Sequence, residues 1–539
     1  MGGKAVLWGS IAPLGTEFVI GLTAAECTTG DHLASEQAQS ATKESAVRAL
    51  GKAASRLRSK LGESLSSVQK FDTPLDQATT PSLEALKAYS LGRQTQFRQG
   101  NSAAIPLFKR AIELDPNFAV AYDALGLSYS NLGEPGLANE NMQRAYDLRN
   151  RASERERLRI SASYHSYFDG DLAKGSEIYA LWAQTYPRDP VPPGNLGAID
   201  LYIGNYVKAR NETLEHLRLE PDSSLGYSNL MVAYADLGRL DEAKAVYQEA
   251  ISRKLEDYGL HGNLYEIAFL EGDANEMERQ LAWATGKPGA EDVLLSFSSD
   301  TEAFYGHLSK ARALSLRAVA SAERSDQKET AAGWQINAAL REVEFGNPSR
   351  ARKATSSALA LASTRDVQIF AALALARAGS LDEVQRLAAD LARRFSQDTL
   401  VTGYWLPTIN AAIEIRRRNP AKALEVLQSA VPYELGEPSP SFQGGGSLYP
   451  VYLRAESNLL LHRGDEARAE FQKILDHRSI VKNCPFGALA HLGLGRAYAL
   501  LGKEDKARSA YKDFLTLWKD ADPDIPIYKQ AKGEYAKLQ

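Results

Sequence analysis

The sequence predicts an all-α fold, an α-solenoid of about twelve helix pairs preceded by a small, incomplete α/β element. Two observations carry the array. Gly194-Asn195-Leu196, Ser228-Asn229-Leu230 and Gly262-Asn263-Leu264 follow one another at steps of 34 residues, and Gly204, Gly238, Gly272 and Gly306 keep the same step. A third observation, an alternating segment near the N-terminus, predicts the α/β element.

Within one step, Ser228 to Ile251 reads as two short helices hinged at Leu237-Gly238-Arg239. The glycine ends the first helix by taking a left-handed conformation, and Asp241-Glu242 then places acidic side chains at the N-terminus of the second. Earlier in the chain Leu91-Gly92 recurs as Leu125-Gly126, Ala104 as Ala138, Phe108 as Met142 and Ala111 as Ala145. Small residues recur because paired helices cross at close range. Gly126, Ala138 and Ala145 admit the neighbouring backbone, while Tyr122, Tyr129, Tyr234 and Tyr247 fill the intervening space. Pro116 and Pro221 close second helices.

The N-terminal stretch KAVLWGSIAPLGTEFVIGLTAAEC is broken by Pro13, Gly15, Thr16 and Glu17, and Glu26 before Cys27 does not suit a lipoprotein cleavage site, so a secretory signal is disfavoured. The alternation of Phe18, Ile20 and Leu22 predicts a hairpin, with strands near Lys4 to Ile11 and from Thr16 to Ala25. A helix from about Ser35 to Leu61 presents Val47, Leu50, Ala54, Leu57 and Leu61 on one face. Two strands and a helix bury little, so residues 1–70 read as part of an α/β domain, as if the chain began inside one. FDTPLDQATTP (71–81) reads as a linker, with Thr80 as an N-cap and Pro81 at the first helical position. Repeats then fill 82–435 and 449–539, separated by a flexible Gly- and Pro-rich loop at 436–448.

Tyr227, Leu230, Tyr234, Gly238, Ala243, Tyr247 and Ala250 resemble the tetratricopeptide-repeat motif. The match is specific over 85–150, 190–287 and 488–519. It is degenerate over 154–187 and 292–324, while QINAALREVEFGNPSRA and TINAAIEIRRRNPAKA resemble each other as two further units. Several segments, among them GSIAPLGTEFVIGLTAAECTTGD, FQKILDHRSIV and DFLTLWKDADPDIPIYKQAKGEYAKLQ, resemble the C-terminal accessory region of bacterial eukaryote-like serine/threonine protein kinases. That resemblance implies a sensory or docking region of a receptor kinase, with the kinase domain itself absent from this chain.

Composition and motifs point away from chemistry. The formal net charge is −4, from 63 basic and 67 acidic residues, which does not suit a nucleic-acid binder. Arg149 to Arg159 interleaves Glu154 and Glu156, and Arg416 to Arg418 end a helix, so both read as solvated, ion-paired faces. Cys27 and Cys484 form no metal or disulfide spacing. Kinase signatures, a phosphate loop and H-E-x-x-H are all absent, and His216, His261 and His491 sit at repeat positions that suit packing. No enzyme activity, cofactor or metal is expected. No apolar run reaches the roughly 18 residues of a membrane span, so the expectation is no membrane insertion and a cytoplasmic location, or an extracytoplasmic one if the kinase resemblance holds.

The functional expectation is a scaffold binding an extended protein segment in a concave groove. First helices line the inner wall of such arrays, and Asn195, Asn229, Asn263 and Asn337 project from one level of it. An asparagine amide both donates and accepts, so a row of them suits a peptide backbone, although the same amides can instead bond their neighbours.

Overall fold

The computed structural model describes residues 5–63, 79–132, 134–438 and 447–539. Two compact units emerge. The first spans the N-terminus to Phe168 apart from residues 133–135, and the second runs from Asp169 to Gln539.

The first unit opens with a three-stranded antiparallel sheet in the order β1 (Ala5–Leu14), β2 (Glu17–Glu26), β3 (His32–Ser40). The predicted hairpin is present, with Ile11 opposite Ile20. The third strand replaces the start of the predicted helix. HLASEQAQS has no β-branched residue to announce a strand, yet Ala34 and Ser40 turn inward while Gln37 and Glu36 pair across to β2. Helix α1 (Lys43–Lys60) begins later than the sequence suggested, at a capping box in which Thr42 and Ser45 satisfy each other's backbone N–H. Its buried Ala46, Val47, Ala49, Ala53 and Leu57 pack on β2 and β3, and Leu83 joins the cluster around Ile20, Ala46 and Ala49. β1 stays uncovered, with Val6, Leu7, Trp8, Ile11 and Leu14 all more than half exposed.

Helix Leu83–Gln99 follows, capped by Ser82 rather than Thr80. Thr80 is instead held by Asp115, to which its hydroxyl donates at 2.5 Å, and this sets the cap two residues downstream. Most of the predicted linker lies outside the described residues. Helices Asn101–Leu114, Ala119–Asn131 and Pro135–Leu148 then form the pattern read from the small residues: a Cβ on Gly126 would sit 2.8 Å from Met142 and 3.1 Å from the Ala138 carbonyl.

In the second unit, helix Leu172–Thr185 is followed by nine helix pairs from Val191 to Leu517, with a short terminal helix at Pro526–Ala536. With the two pairs of the first unit, Leu83–Leu114 and Ala119–Leu148, eleven pairs occur among the described residues. The degenerate stretch 292–324 forms a regular pair, Glu291–Phe304 and Leu308–Arg324. Gly204, Gly238, Gly272 and Gly306 all have φ between 73° and 82°, as the turn requires. First helices of consecutive pairs touch one another, and second helices touch mainly first helices, so the first helices make one continuous wall.

A further layer was not legible in the sequence. The C-terminal pairs of this unit return to dock on the ends of its earlier first helices. The last turn of each first helix leaves carbonyls without an intrahelical partner, and the returning chain supplies donors. Glu437 N donates to Leu201 O at 3.1 Å, Trp518 Nε1 to Phe304 O at 2.9 Å, Asp522 N to Gly306 O at 3.0 Å and Ile527 N to Phe345 O at 3.3 Å. Ser479 Oγ and Arg478 reach Asp236 O and Leu270 O at longer range, each 3.4 Å.

Candidate protein-interaction face

The four asparagines occupy different environments. Asn263, on helix Tyr258–Glu271, is 4% exposed and its Nδ2 donates to both the carbonyl and the hydroxyl of Ser228 at 3.0 Å, joining two first helices. Asn337 is half-buried and donates to Asp300 at 3.0 Å, and Arg341 shares that carboxylate at 2.5 Å. Asn195 is half-buried and donates back to Val191 O at 2.9 Å. Asn229 is half-buried and its amide makes no hydrogen bond among the described residues. Each asparagine stands nine residues before a turn glycine, Gly204, Gly238, Gly272 or Gly346, and the local neighbours decide how much of each amide faces outward.

One helical turn beyond Asn263, on the same face, Glu266 meets Lys482 from the returning chain at 3.2 Å. Lys482 also pairs with Glu437 at 2.6 Å, and both Lys482 and Glu266 are buried. Asp236, at the end of helix Ser224–Asp236, completes the cluster. Burial alone would push the Lys482 ammonium down, but Glu266, Glu437 and Asp236 together hold it well above its ordinary value. Burial pushes the Asp236 and Glu266 carboxyls up, against the pull of Lys482. Lys482 has φ 53° and ψ −130°, a backbone conformation that side-chain-bearing residues rarely adopt.

Nothing in the sequence marked Lys482, because its partners lie about 45 and 216 residues away. Gly436 to Pro438, placed in a flexible loop by composition, are likewise packed: Gly436 and Pro438 are buried, and Trp405 Nε1 donates to Pro438 O at 3.1 Å. Residues 439–446 of that loop lie outside the described residues.

The histidines singled out earlier divide in the same way. His216 bonds Pro190 O and Ser223 Oγ, each at 2.8 Å, and His261 stacks on Trp283 while bonding Gln280 at 2.6 Å. His491 lines an open cleft of about 660 Å³ with Tyr305, His307, Lys512 and Asp513. Among the described residues no three metal-ligating side chains converge, and no helix is long and apolar enough to cross a membrane.

Residues 107–138 and 227–257 each match the tetratricopeptide-repeat family. The chain carries tetratricopeptide repeats. Superkiller protein 3 of Schizosaccharomyces pombe is 27% identical over 186 residues, which cover 32% of this chain and 12% of that protein. Among solved structures, the human IFIT1 dimer with PPP-AAAA is 13% identical, with 81% of this chain and 91% of that one covered at a TM-score of 0.36. The type IV pilus biogenesis factor PilW is 17% identical, with 40% and 99% covered at a TM-score of 0.29. The tetratricopeptide repeat that the two family matches identify typically serves as a non-enzymatic protein-interaction scaffold, and no catalytic family is indicated.

Proposed function

We propose that this chain is a non-enzymatic scaffold whose first-helix wall holds an extended segment of a partner protein through asparagine amides. The observation that carries the reading is Asn229: a half-exposed amide with no hydrogen bond among the described residues, at the position that Asn195 occupies one repeat earlier. Asn337 belongs to the same level with its amide turned to Asp300. Asn263 fixes the wall itself by holding Ser228.

A bidentate amide contact contributes about 0.5–1.5 kcal/mol net, so each alanine replacement weakens binding by about tenfold at most. The test compares partners captured from native lysate by the wild type and by an Asn195→Ala/Asn229→Ala/Asn337→Ala variant. Loss of specific partners with unchanged helicity supports the reading, and retention of every partner refutes it. The alternative, a docking region of a receptor-type kinase, rests on the segments quoted above, and an in-frame kinase sequence immediately upstream in the native gene decides it.

A further inference from the structure

We propose that the notch at Leu201–Tyr206 is a binding site for a short acidic segment of a partner protein with the pattern Glu-x-Gly-Glu-Pro, and that the chain's own Glu434–Pro438 now fills it. The site lies at the other end of helix Val191–Tyr202 from Asn195 and is separate from the asparagine row, so either can fail alone.

Each residue of the segment is held by a different group. Glu434 is gripped by Arg454, at 2.6 Å, and by Lys473. The Tyr206 hydroxyl donates to Leu435 O. Gly436 lies so close over the Tyr202 carbonyl that a Cβ there would overlap its oxygen, so the pattern demands glycine at this point. Glu437 donates its N–H to Leu201 O at 3.1 Å and places its carboxylate 2.6 Å from Lys482. Trp405 Nε1 holds Pro438 O at 3.1 Å. Two carboxylates, two main-chain carbonyls, one N–H and one missing side chain are features that any peptide of this pattern presents.

The notch also persists without its present occupant. With the segment lifted away, Lys482 keeps Glu266 at 3.2 Å and Arg454 keeps Glu470 at 2.9 Å, so neither buried cation is left alone. The empty site then lacks the two charges of Glu434 and Glu437, and charge complementarity selects an acidic replacement. A tethered occupant acts at an effective concentration on the order of millimolar, so the site is closed to weak partners and opens only to one that presents the pattern well.

The test uses the full chain and a fluorescent peptide Pro-Tyr-Glu-Leu-Gly-Glu-Pro, the sequence of residues 432–438. In Gly436→Val the tethered segment cannot seat, so the expected result is peptide binding at least about tenfold tighter than in the wild type, read by anisotropy. A peptide with valine for the glycine, and one with glutamine for both glutamates, should lose that binding. The proposal is overturned if Gly436→Val keeps its helicity yet binds the peptide no tighter than the wild type, or binds the altered peptides equally well. Should Gly436→Val fail to fold, Glu437→Gln weakens the seat through Lys482 alone and is subject to the same two outcomes.

Discussion

Gly238 and Gly306 occupy the same place in their repeats, 68 residues apart, and the structure predicts that replacing them has unequal consequences. Both have positive φ, 73° and 79°, so alanine at either incurs a left-handed penalty of about 1–2 kcal/mol, offset by about 0.4–1 kcal/mol from a less flexible unfolded chain. At Gly238 nothing else intervenes, because a Cβ there meets no atom within 4 Å. At Gly306 the Cβ would overlap Ala521 and lie 2.9 Å from Trp518, and both of those residues are buried. Overpacking of that kind costs about 1–3 kcal/mol. The hydrogen bonds of Asp522 N to Gly306 O and of Trp518 Nε1 to Phe304 O are at risk as well. Gly238→Ala should therefore cost no more than about 1.5 kcal/mol and Gly306→Ala about 2–4 kcal/mol. Urea unfolding of both variants measures the difference, with hydrogen exchange to show whether residues 518–536 loosen first. Equal costs at the two positions would refute the docking argument.

Other perturbations separate the remaining contacts. Lys482→Met removes the cation between buried Glu266 and Glu437 and should cost about 3–5 kcal/mol. Combining it with Glu266→Gln should recover part of that loss, and strict additivity in the double-mutant cycle would argue against the pair. Asn263→Ala should cost about 1–2 kcal/mol by releasing Ser228, whereas Asn229→Ala should leave the melting temperature nearly unchanged. Burial raises the folded-state pKa of Asp236 above its ordinary 3.8, so its contribution to stability is fullest below that value and is lost as pH rises towards the folded pKa. Asp236→Asn should accordingly stabilise the chain at neutral pH and flatten the pH dependence of its urea midpoint from about pH 4 upward.

What the sequence made legible was local. The helix-turn-helix step announces itself because Gly238 needs a left-handed turn and Gly126 needs room for Met142, and both demands bear on a single residue. β3 stayed hidden because its inward residues are alanine and serine, which carry little strand signal. Thr80 and Ser82 are both competent caps, and only the tertiary bond from Thr80 to Asp115 decides between them. The docking of the returning pairs was beyond reach for a different reason. Gly204 and Gly306 carry the same turn signal as Gly238, and their second task, admitting Leu435 and Ala521, depends on how the array curves over more than 200 residues. The asparagine row shows the same limit, since Ser228 beside Asn263 and Asp300 beside Asn337 assign bonds that spacing alone does not specify.

Hydrogen–deuterium exchange of the wild-type chain tests most directly the claim that the second unit closes on itself through the Glu434–Pro438 segment. The amide of Glu437, bonded to Leu201 O, should be protected, and it should exchange through an opening of the 434–438 segment that leaves residues 201–206 and 480–484 protected. Exchange of Glu437 at the rate of an unstructured peptide, while the flanking helices Tyr206–Leu219 and Tyr449–Leu460 remain protected, would contradict it.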